Sequence, residues 1–381
     1  MPKHIYMLVN DPGTVGGIQR VIAALSAGFL SAGYEVTVVG VRRPVGGRIL
    51  IPQSDVTYIF PFPTSWVPAP LARLFNRYGM KFERALIPGH WIFRRRLNRV
   101  IRQKPGHIIA MDVFVAELSA QVSVPPGAVK LVQFHNSFDA LSGTRDFMRL
   151  MNVVPRYDYL LALTEGDAVK FAESTPTTVL SMPNPLPFAP APGGPSAGFS
   201  SSSRVVSIGR LEQHKGFGLL IDSWSALHPS TREGWSLRII GEGEQREALE
   251  SQIKRLGLSE SVVLVGRSDD IQSELHKADL LVLASEYEGL PMVLLEAMSQ
   301  SVACLATESS VGVAELLADG RGLLVPVGDR ATLTTGIEEL LRYADKRAAY
   351  AEAGYRKSKE FELRPTIDRW LRLLRAKGST A

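Results

Sequence analysis

The segment 285–298 places two carboxylates around the predicted start of a helix. It reads Ser-Glu-Tyr-Glu-Gly-Leu-Pro-Met-Val-Leu-Leu-Glu-Ala-Met and follows a predicted strand. Pro291 suits the first helical position, and the free N–H groups of a helix start at a sheet edge favour an anion such as diphosphate. Glu288 precedes this start and Glu296 follows it. The spacing predicts that the two carboxylates hold hydroxyls at two points of an extended ligand. The alternative is that Glu288 is a loop residue and Glu296 a solvated helix residue, neither with a role in binding.

A second segment, 205–216, supplies cations at the end of another predicted strand. It reads Val-Val-Ser-Ile-Gly-Arg-Leu-Glu-Gln-His-Lys-Gly, so that Arg210 follows Gly209 and Lys215 comes five residues later. An arginine that chelates two oxygens and a lysine that acts as a point charge suit a departing diphosphate, on which negative charge develops. A pair of solvated loop cations is the alternative for this segment taken alone.

Two glycine-rich turns follow predicted strands, but neither has the dinucleotide pattern. Gly16 and Gly17 lie between the first predicted strand and a helix, and allow a ligand close approach to the backbone. Their segment lacks the G-x-G-x-x-G order. The turn that begins at Gly241 has arginine in place of the third glycine, and two glutamates that repel pyrophosphate. A nicotinamide enzyme is therefore disfavoured.

His135 lies at the end of a predicted strand and is a candidate for hydrogen bonding to a sugar or to a backbone group. The alternative is a structural role, as a packed or capped side chain. Neither His135 nor His214 has carboxylate or thiol neighbours at metal-ligand spacing. We therefore predict no tightly held metal and no tightly bound cofactor.

The segment 71–104 alternates cations with aromatic residues in a helical pattern. Such a pattern suits an anionic membrane surface, where rings enter the interface and cations meet headgroups. The alternative is a solvated basic face whose aromatics belong to the core. Nucleic acid ranks below both, because no RNA-binding module signature is present.

Length, charge and cysteine content narrow the class of protein. The 381 residues suggest two domains, and residues 1–190 carry 20 Lys and Arg against 12 Asp and Glu. This basic half implies an anionic partner. The single cysteine, Cys304, cannot form an internal disulfide, and the N-terminal apolar run is too short for a secretory signal. We expect a cytoplasmic protein, either free or peripheral at the inner face of the plasma membrane.

Short β-rich runs alternate with amphipathic helical patterns, which is typical of parallel sheets built from βαβ units. We predict two doubly wound α/β domains, with strands near 4–9, 35–41, 106–110, 129–134 and 158–163, then near 204–208, 236–240, 262–265, 279–284, 302–306 and 322–325. The expected division is 1–187 with a terminal helix at 365–381, a proline- and serine-rich linker at 188–202, and 203–364.

With these pieces the chain resembles a family 4 retaining glycosyltransferase of the GT-B architecture. The resemblance rests on Ser207-Ile-Gly-Arg-Leu with Lys215-Gly216, on Ile239-Ile-Gly-Glu-Gly243, and on the E-x7-E pair Glu288 and Glu296. It implies two Rossmann-like domains that face each other across a cleft, with the last helix packed back on the first domain. It also implies a nucleotide-sugar donor, with UDP as the expected nucleotide, in the second domain and an acceptor in the first.

The resemblance also implies roles for individual residues. Arg210 and Lys215 would bind the donor diphosphate, Glu296 the ribose, and Glu288 the transferred sugar. The remaining positions carried over are Gly16, Gly17, Gly209, Gly241, the backbone of Gly289, Leu290, Pro291 and Met292, and His135 over the sugar. The sequence around Glu288 is similar to that of bacterial members of the family that act on cell-wall or lipid-linked glycans.

Two further readings stay open. A nucleotide-sugar epimerase or phosphorylase could use the same two-domain plan, and so could a non-catalytic subunit that binds a nucleotide sugar or a glycan.

Overall fold

A computed structural model describes residues 2–12, 17–43, 55–63, 89–194 and 203–376. The chain divides into two compact units, one formed by Met1–Pro185 with Leu363–Ala381, the other by Leu186–Glu362. The segment 188–202 was predicted to be a linker, and the structure describes its residues 188–194. The Ala191 N–H donates to Ser299 O, and the Tyr355 hydroxyl donates to Ala191 O, so residues 186–194 belong to the second unit.

The first unit contains a parallel sheet of seven strands in the order β3-β2-β1-β4-β5-β6-β7. The strands are β1 His4–Val9, β2 Glu35–Arg43, β3 Asp55–Pro63, β4 His107–Ala110, β5 Lys130–Gln133, β6 Tyr159–Ala162 and β7 Thr178–Ser181. Helices cover both faces: α1 Gly17–Ser31, α2 Gly89–Gln103, α3 Val113–Ser119, α4 Phe138–Leu141, α5 Arg145–Val153 and α6 Glu165–Ala172. Every residue of β1, β4 and β5 is buried, as expected for central strands covered on both sides.

The second unit repeats this plan with six parallel strands in the order β10-β9-β8-β11-β12-β13. The strands are β8 Arg204–Ile208, β9 Ser236–Ile240, β10 Val262–Gly266, β11 Leu280–Leu283, β12 Ala303–Thr307 and β13 Leu323–Val325. Its helices are α7 Phe217–Ser225, α8 Pro229–Arg232, α9 Arg246–Arg255, α10 Ile271–His276, α11 Met292–Ser299, α12 Val311–Leu317, α13 Arg330–Arg342 and α14 Ala344–Ser358. In register, Val205 of β8 lies between Leu237 of β9 and Leu280 of β11.

The last helix, α15 Leu363–Ala376, returns to the first unit and packs on α1. Trp370 is fully buried, and its ring meets that of Phe29 edge to face at 5.8 Å between centroids. Ile367 fills the space beside Gly28, where an added Cβ would lie 2.4 Å from Ile367 Cγ1. The prediction of two Rossmann-like domains with a returning terminal helix is therefore confirmed.

The sequence did not predict β3 or β7. Pro61 and Pro63 lie in β3 and cannot donate to a neighbouring strand, which is tolerated because β3 is at the sheet edge. β7 is the opposite edge strand and has only four residues. None of the described helices has the length and apolar content needed to cross a membrane.

Candidate active site

Each sheet has a switch point, between β1 and β4 and between β8 and β11, where the direction in which strands are added reverses. Ligands of open α/β sheets bind outside the carboxyl ends of the strands at such points. In the second unit two glycines bring the loops at this edge into backbone contact. A Cβ on Gly241 would lie 1.8 Å from Gly209 O, and one on Gly216 would lie 2.0 Å from Ala284 O. The loops after β8, β9 and β11 therefore meet only because both positions lack a side chain.

Lys215 and Glu288, 73 positions apart in the chain, form an ion pair at this edge. Lys215 Nζ lies 2.7 Å from Glu288 Oε1, and the side chains are 19% and 10% exposed. The Ser285 hydroxyl donates to the same Oε1 atom at 2.7 Å, and Ser285 O accepts from the buried Thr307 hydroxyl at 2.6 Å. The cation thus has a fixed position at a partly open surface, which suits it to contact a phosphate.

Arg210 lies on the same loop as Lys215 but has a different environment. Its side chain is 75% exposed, and Nη1 lies 2.5 Å from Glu212 Oε1. The other carboxylate oxygen of Glu212 lies 3.6 Å from His214 Nδ1. The His214 ring stacks on the half-exposed Tyr287 ring at 4.4 Å between centroids. Arg210 is therefore a solvated cation beside the Lys215–Glu288 pair.

The start of α11 differs from the predicted one by one residue. Pro291 is the N-cap with φ −71° and ψ 103°, and the helix begins at Met292, so the placement of Pro291 at the first helical position is corrected. No side chain caps this helix start. The Leu294 N–H donates to Pro291 O at 3.0 Å, whereas the N–H groups of Met292 and Val293 point out of the helix start, where the helix dipole also favours an anion.

Glu296 is 1% exposed, so the alternative of a solvated helix residue does not hold. It lies one turn into α11, behind the helix start. Leu290 is also buried, whereas Gly289 and Met292 are partly exposed. Gly289 O accepts from the Ser310 hydroxyl at 3.0 Å, which fixes the backbone between Glu288 and α11.

The candidate residues of the first unit lie around its own switch point. Gly16 lies outside the described residues. Gly17 begins α1, and among the described residues no atom beyond its own helix and chain neighbours lies within 4 Å of where its Cβ would be. His135 follows β5 beside a cavity. Both of its ring nitrogens are buried without a hydrogen-bond partner among the described residues, and burial lowers the pKa of His135 to about 4.

The basic segment 71–104 is described only from residue 89 onward. In α2, Phe93, Leu97 and Ile101 are buried in the core of the first unit. The cations Arg95, Arg99 and Arg102 are exposed on the opposite face. In this helix the aromatic Phe93 is thus a core residue and the arginines form a solvated basic face.

Several contacts of this site were missed from the sequence. Ser285 follows β11 and Thr307 is the last residue of the neighbouring strand β12. Their positions at the carboxyl ends of predicted strands could have indicated both residues from the sequence. Asp112 caps α3 by accepting from the Val115 N–H, a role that an aspartate before an apolar helix predicts. Among the described residues there is no cluster of three or more His, Cys, Asp or Glu placed to hold a metal ion.

Known proteins share the fold of this chain and part of its sequence. The fold is shared with Anabaena HepE solved in complex with UDP, with a TM-score of 0.75 and 17% identity over 98% of this chain and 99% of that chain. Residues 197–357 match the family model described as "Glycosyl transferases group 1". This segment contains Arg210, Lys215, Glu288 and Glu296.

Two characterised relatives align with part of the chain. The amylovoran biosynthesis glycosyltransferase AmsD of Erwinia amylovora is 32% identical over 44% of this chain and 47% of its own length. An alpha-1,4-N-acetyl-D-galactosaminyltransferase of Campylobacter jejuni, whose name specifies a PP-undecaprenol-linked glycan, is 28% identical over 58% of this chain and 60% of its own length. The chain thus matches 47% of the length of the first relative and 60% of the length of the second. These similarities support a glycosyltransferase.

Proposed function

We propose that the protein is a retaining glycosyltransferase that moves a hexose from a UDP-sugar to a hydroxyl of a cell-envelope or lipid-linked glycan. The observation that carries the proposal is the Lys215–Glu288 pair at the β8–β11 switch point, beside the uncapped start of α11. The group 1 match over this segment, the UDP-bound HepE structure and the glycan named for the Campylobacter jejuni relative support it.

The proposed reaction uses these residues to stabilise a leaving group. The bond between the anomeric carbon and the β-phosphate oxygen breaks, and a bond forms from that carbon to the acceptor oxygen. Lys215 and Arg210 neutralise the charge that develops on the diphosphate, and the first turn of α11 donates N–H groups to it. The proton of the acceptor hydroxyl passes to the departing diphosphate on the same face of the sugar, which retains the anomeric configuration.

The carboxylates of the site have separate proposed roles. Glu288, held by Ser285 and Lys215, accepts hydrogen bonds from hydroxyls of the transferred sugar. Glu296, at the buried side of the same helix start, accepts from the ribose hydroxyls. Gly209, Gly241 and the backbone of Gly289–Met292 let the ligand approach the main chain closely.

A second part of the proposal concerns the basic face of α2. We propose that Arg95, Arg99 and Arg102 attract the protein to anionic lipid, which would bring a lipid-linked acceptor to it. Three exposed cations at positions i, i+4 and i+7 share one face of the helix, and each contributes about 1 kcal/mol near an anionic surface.

The activity is tested by screening UDP-sugars for thermal stabilisation of the full chain, since a bound donor raises stability with its excess over Kd. The donor that stabilises is then incubated with glycan acceptors, and NMR of the product reports the anomeric configuration. An α-linked product from an α-linked donor supports the proposal. Conversion of the donor without acceptor indicates an epimerase instead, and binding without turnover indicates a non-catalytic subunit.

A further inference from the structure

The two cations of the candidate site are both paired with glutamates, and the two pairs differ in how firmly they are held. In the Lys215–Glu288 pair the side chains are 19% and 10% exposed, and Ser285 donates to the same carboxylate oxygen. In the Arg210–Glu212 pair the carboxylate side chain is 27% exposed, whereas that of the arginine is 75% exposed. The second pair is therefore the one that solvent and an incoming ligand reach more easily.

The backbone around Glu212 is fixed by a short turn. The Glu212 N–H donates to Arg210 O at 2.7 Å, and Glu212 O accepts from the Lys215 N–H at 3.1 Å. Immediately before this turn, the Leu211 N–H donates to Glu242 O at 3.0 Å. The main chain of this loop thus places Glu212 between the two cations along the sequence and restricts where its carboxylate can lie.

The second oxygen of the Glu212 carboxylate faces a histidine whose own position is fixed. Glu212 Oε2 lies 3.6 Å from His214 Nδ1, and Arg210 contacts Oε1 of the same carboxylate. The His214 ring stacks on the Tyr287 ring at 4.4 Å between centroids and 11° between planes. His214 O also accepts from the Glu286 N–H at 2.8 Å. The carboxylate therefore has an anchored neighbour on one side and the exposed guanidinium on the other.

A diphosphate would compete with Glu212 for the guanidinium of Arg210. An exposed ion pair contributes little net free energy, because solvent screens it and both side chains lose rotamer freedom. A diphosphate carries more negative charge than a carboxylate, and its oxygens can accept two parallel N–H bonds from a guanidinium. Transfer of Arg210 from Glu212 to the diphosphate is therefore favoured, and it requires only rotation of an exposed side chain.

We propose that Glu212 is the resident counter-ion of Arg210. It gives up the guanidinium when the diphosphate of the donor binds, and pairs with it again as the nucleoside diphosphate product leaves. Glu212 is thus a positioning residue that acts through Arg210 and weakens retention of the product. Lys215 keeps its less exposed pair with Glu288 throughout. The inference rests on the proposed function, because it requires that the loop after β8 meets a diphosphate.

The test is calorimetric titration of the full chain with UDP, in which the parent chain is compared with Glu212→Gln. Glutamine keeps the shape of the side chain and removes its charge. Glu352→Gln is the matched control, because Glu352 forms an exposed ion pair with Arg356 within α14, outside the loops after β8 and β11. Glu212→Gln is also made in an Arg210→Ala background, so that the two substitutions form a double-mutant cycle.

We expect Glu212→Gln to bind UDP about threefold to fivefold more tightly than the parent chain, and the gain should shrink as salt is added. In the Arg210→Ala background the same substitution should produce no gain, and Glu352→Gln should bind UDP like the parent chain. Damage to the fold lowers affinity, so a gain distinguishes the proposed role from a merely structural one.

Unchanged or weaker UDP binding by Glu212→Gln overturns the inference. An equal gain in the Arg210→Ala background also overturns it, since the carboxylate would then repel the diphosphate directly and not act through the arginine. The parent chain tests the proposed function separately. If the parent binds UDP and Glu212→Gln gains nothing, only the counter-ion role is refuted, whereas absence of UDP binding to the parent refutes both proposals.

Discussion

Gly216 lies against Ala284 so closely that a Cβ on the glycine would be 2.0 Å from the alanine carbonyl oxygen. Beside this contact, the Glu286 N–H donates to His214 O at 2.8 Å. The loop after β8 and the loop after β11 are therefore joined through their backbones. Lys215 precedes this glycine and Glu288 lies further along the second loop, so the ion pair of the site depends on the approach.

Gly216→Ala is expected to separate the two loops. The substitution adds a backbone clash to the strain of φ +66°. Gly257→Ala places alanine at φ +67°, where no described residue other than its chain neighbours lies within 4 Å of the added Cβ. The Gly257 variant should lose about 1 kcal/mol in free energy of unfolding, and the Gly216 variant distinctly more. Urea unfolding and UDP titration of both variants check this. Equal losses in stability with equal UDP affinity would contradict the proposed role of the contact.

Lys215→Ala is expected to lower kcat at least tenfold. It removes a cation placed to stabilise the departing diphosphate, and loss of one such group typically costs 10²–10³-fold. Arg210→Ala, at a 75% exposed side chain, should have an effect in the same direction. Lys254→Ala, an exposed lysine on α9, is the control for removal of charge. Steady-state rates at saturating donor measure the effect. Unchanged turnover in Lys215→Ala would contradict the proposed role of Lys215 in stabilising the departing diphosphate.

Ser285→Ala tests whether the serine positions Glu288. The variant keeps the Lys215–Glu288 pair but loses the 2.7 Å hydrogen bond to Oε1. We expect kcat/KM to fall about tenfold and Ser285→Thr, which retains the hydroxyl, to recover most of the loss. Ser299→Ala is the control, since its buried hydroxyl donates only to the Glu296 backbone carbonyl. A purely structural role would lower the midpoint of unfolding without changing kcat or KM.

The sequence predicts those parts of the fold whose pattern of apolar and polar residues lies within one short segment. The alternation of β-rich runs and helical patterns predicted both sheets, because the periodicity of each strand or helix is visible within its own short segment. It failed at β3 and β7, where the prolines of one edge strand and the shortness of the other weaken the pattern.

The site shows the same limit. Lys215 and Glu288 could be named from their own segments, but their contact is set by Gly216 and Gly241, whose close approaches appear only when the strands are paired. Asp112 follows β4 and His135 follows β5, and they line one cavity because these two strands are neighbours in the sheet. The periodicity of apolar residues along the chain does not indicate which strands are neighbours in the sheet.

Replacing Arg95, Arg99 and Arg102 with glutamate should abolish binding to anionic vesicles. The three arginines are exposed while Phe93 and Leu97 are buried, so attraction through this helix is electrostatic and should weaken with added salt. Lys254, Arg255 and Arg267, three exposed cations of the second unit, are replaced in the matched control. Flotation with anionic and zwitterionic vesicles measures the effect. Equal flotation of the two triple variants would remove the membrane proposal.

The stability of the first unit should fall as the pH drops below the ordinary pKa of histidine. Burial lowers the pKa of His107, whose Nδ1 accepts from the Val129 N–H at 3.0 Å while Nε2 contacts Pro2 O at 3.1 Å. Burial also lowers the pKa of His135, to about 4. Both groups therefore bind a proton more readily in the unfolded chain, so their contribution is present above about pH 6.5 and is lost below it.

The loss amounts to at most about 1.4 kcal/mol per pH unit for each histidine, over the range between its folded pKa and about 6.5. His107→Gln and His135→Asn should each flatten the pH dependence of the free energy of unfolding between about pH 6.5 and 5, even where they lower its absolute value. His228→Gln, at an exposed position of the second unit, is the control variant. Urea unfolding at stepped pH measures the slopes. A slope in the two buried-histidine variants as steep as in the parent chain would show that other groups titrate on unfolding.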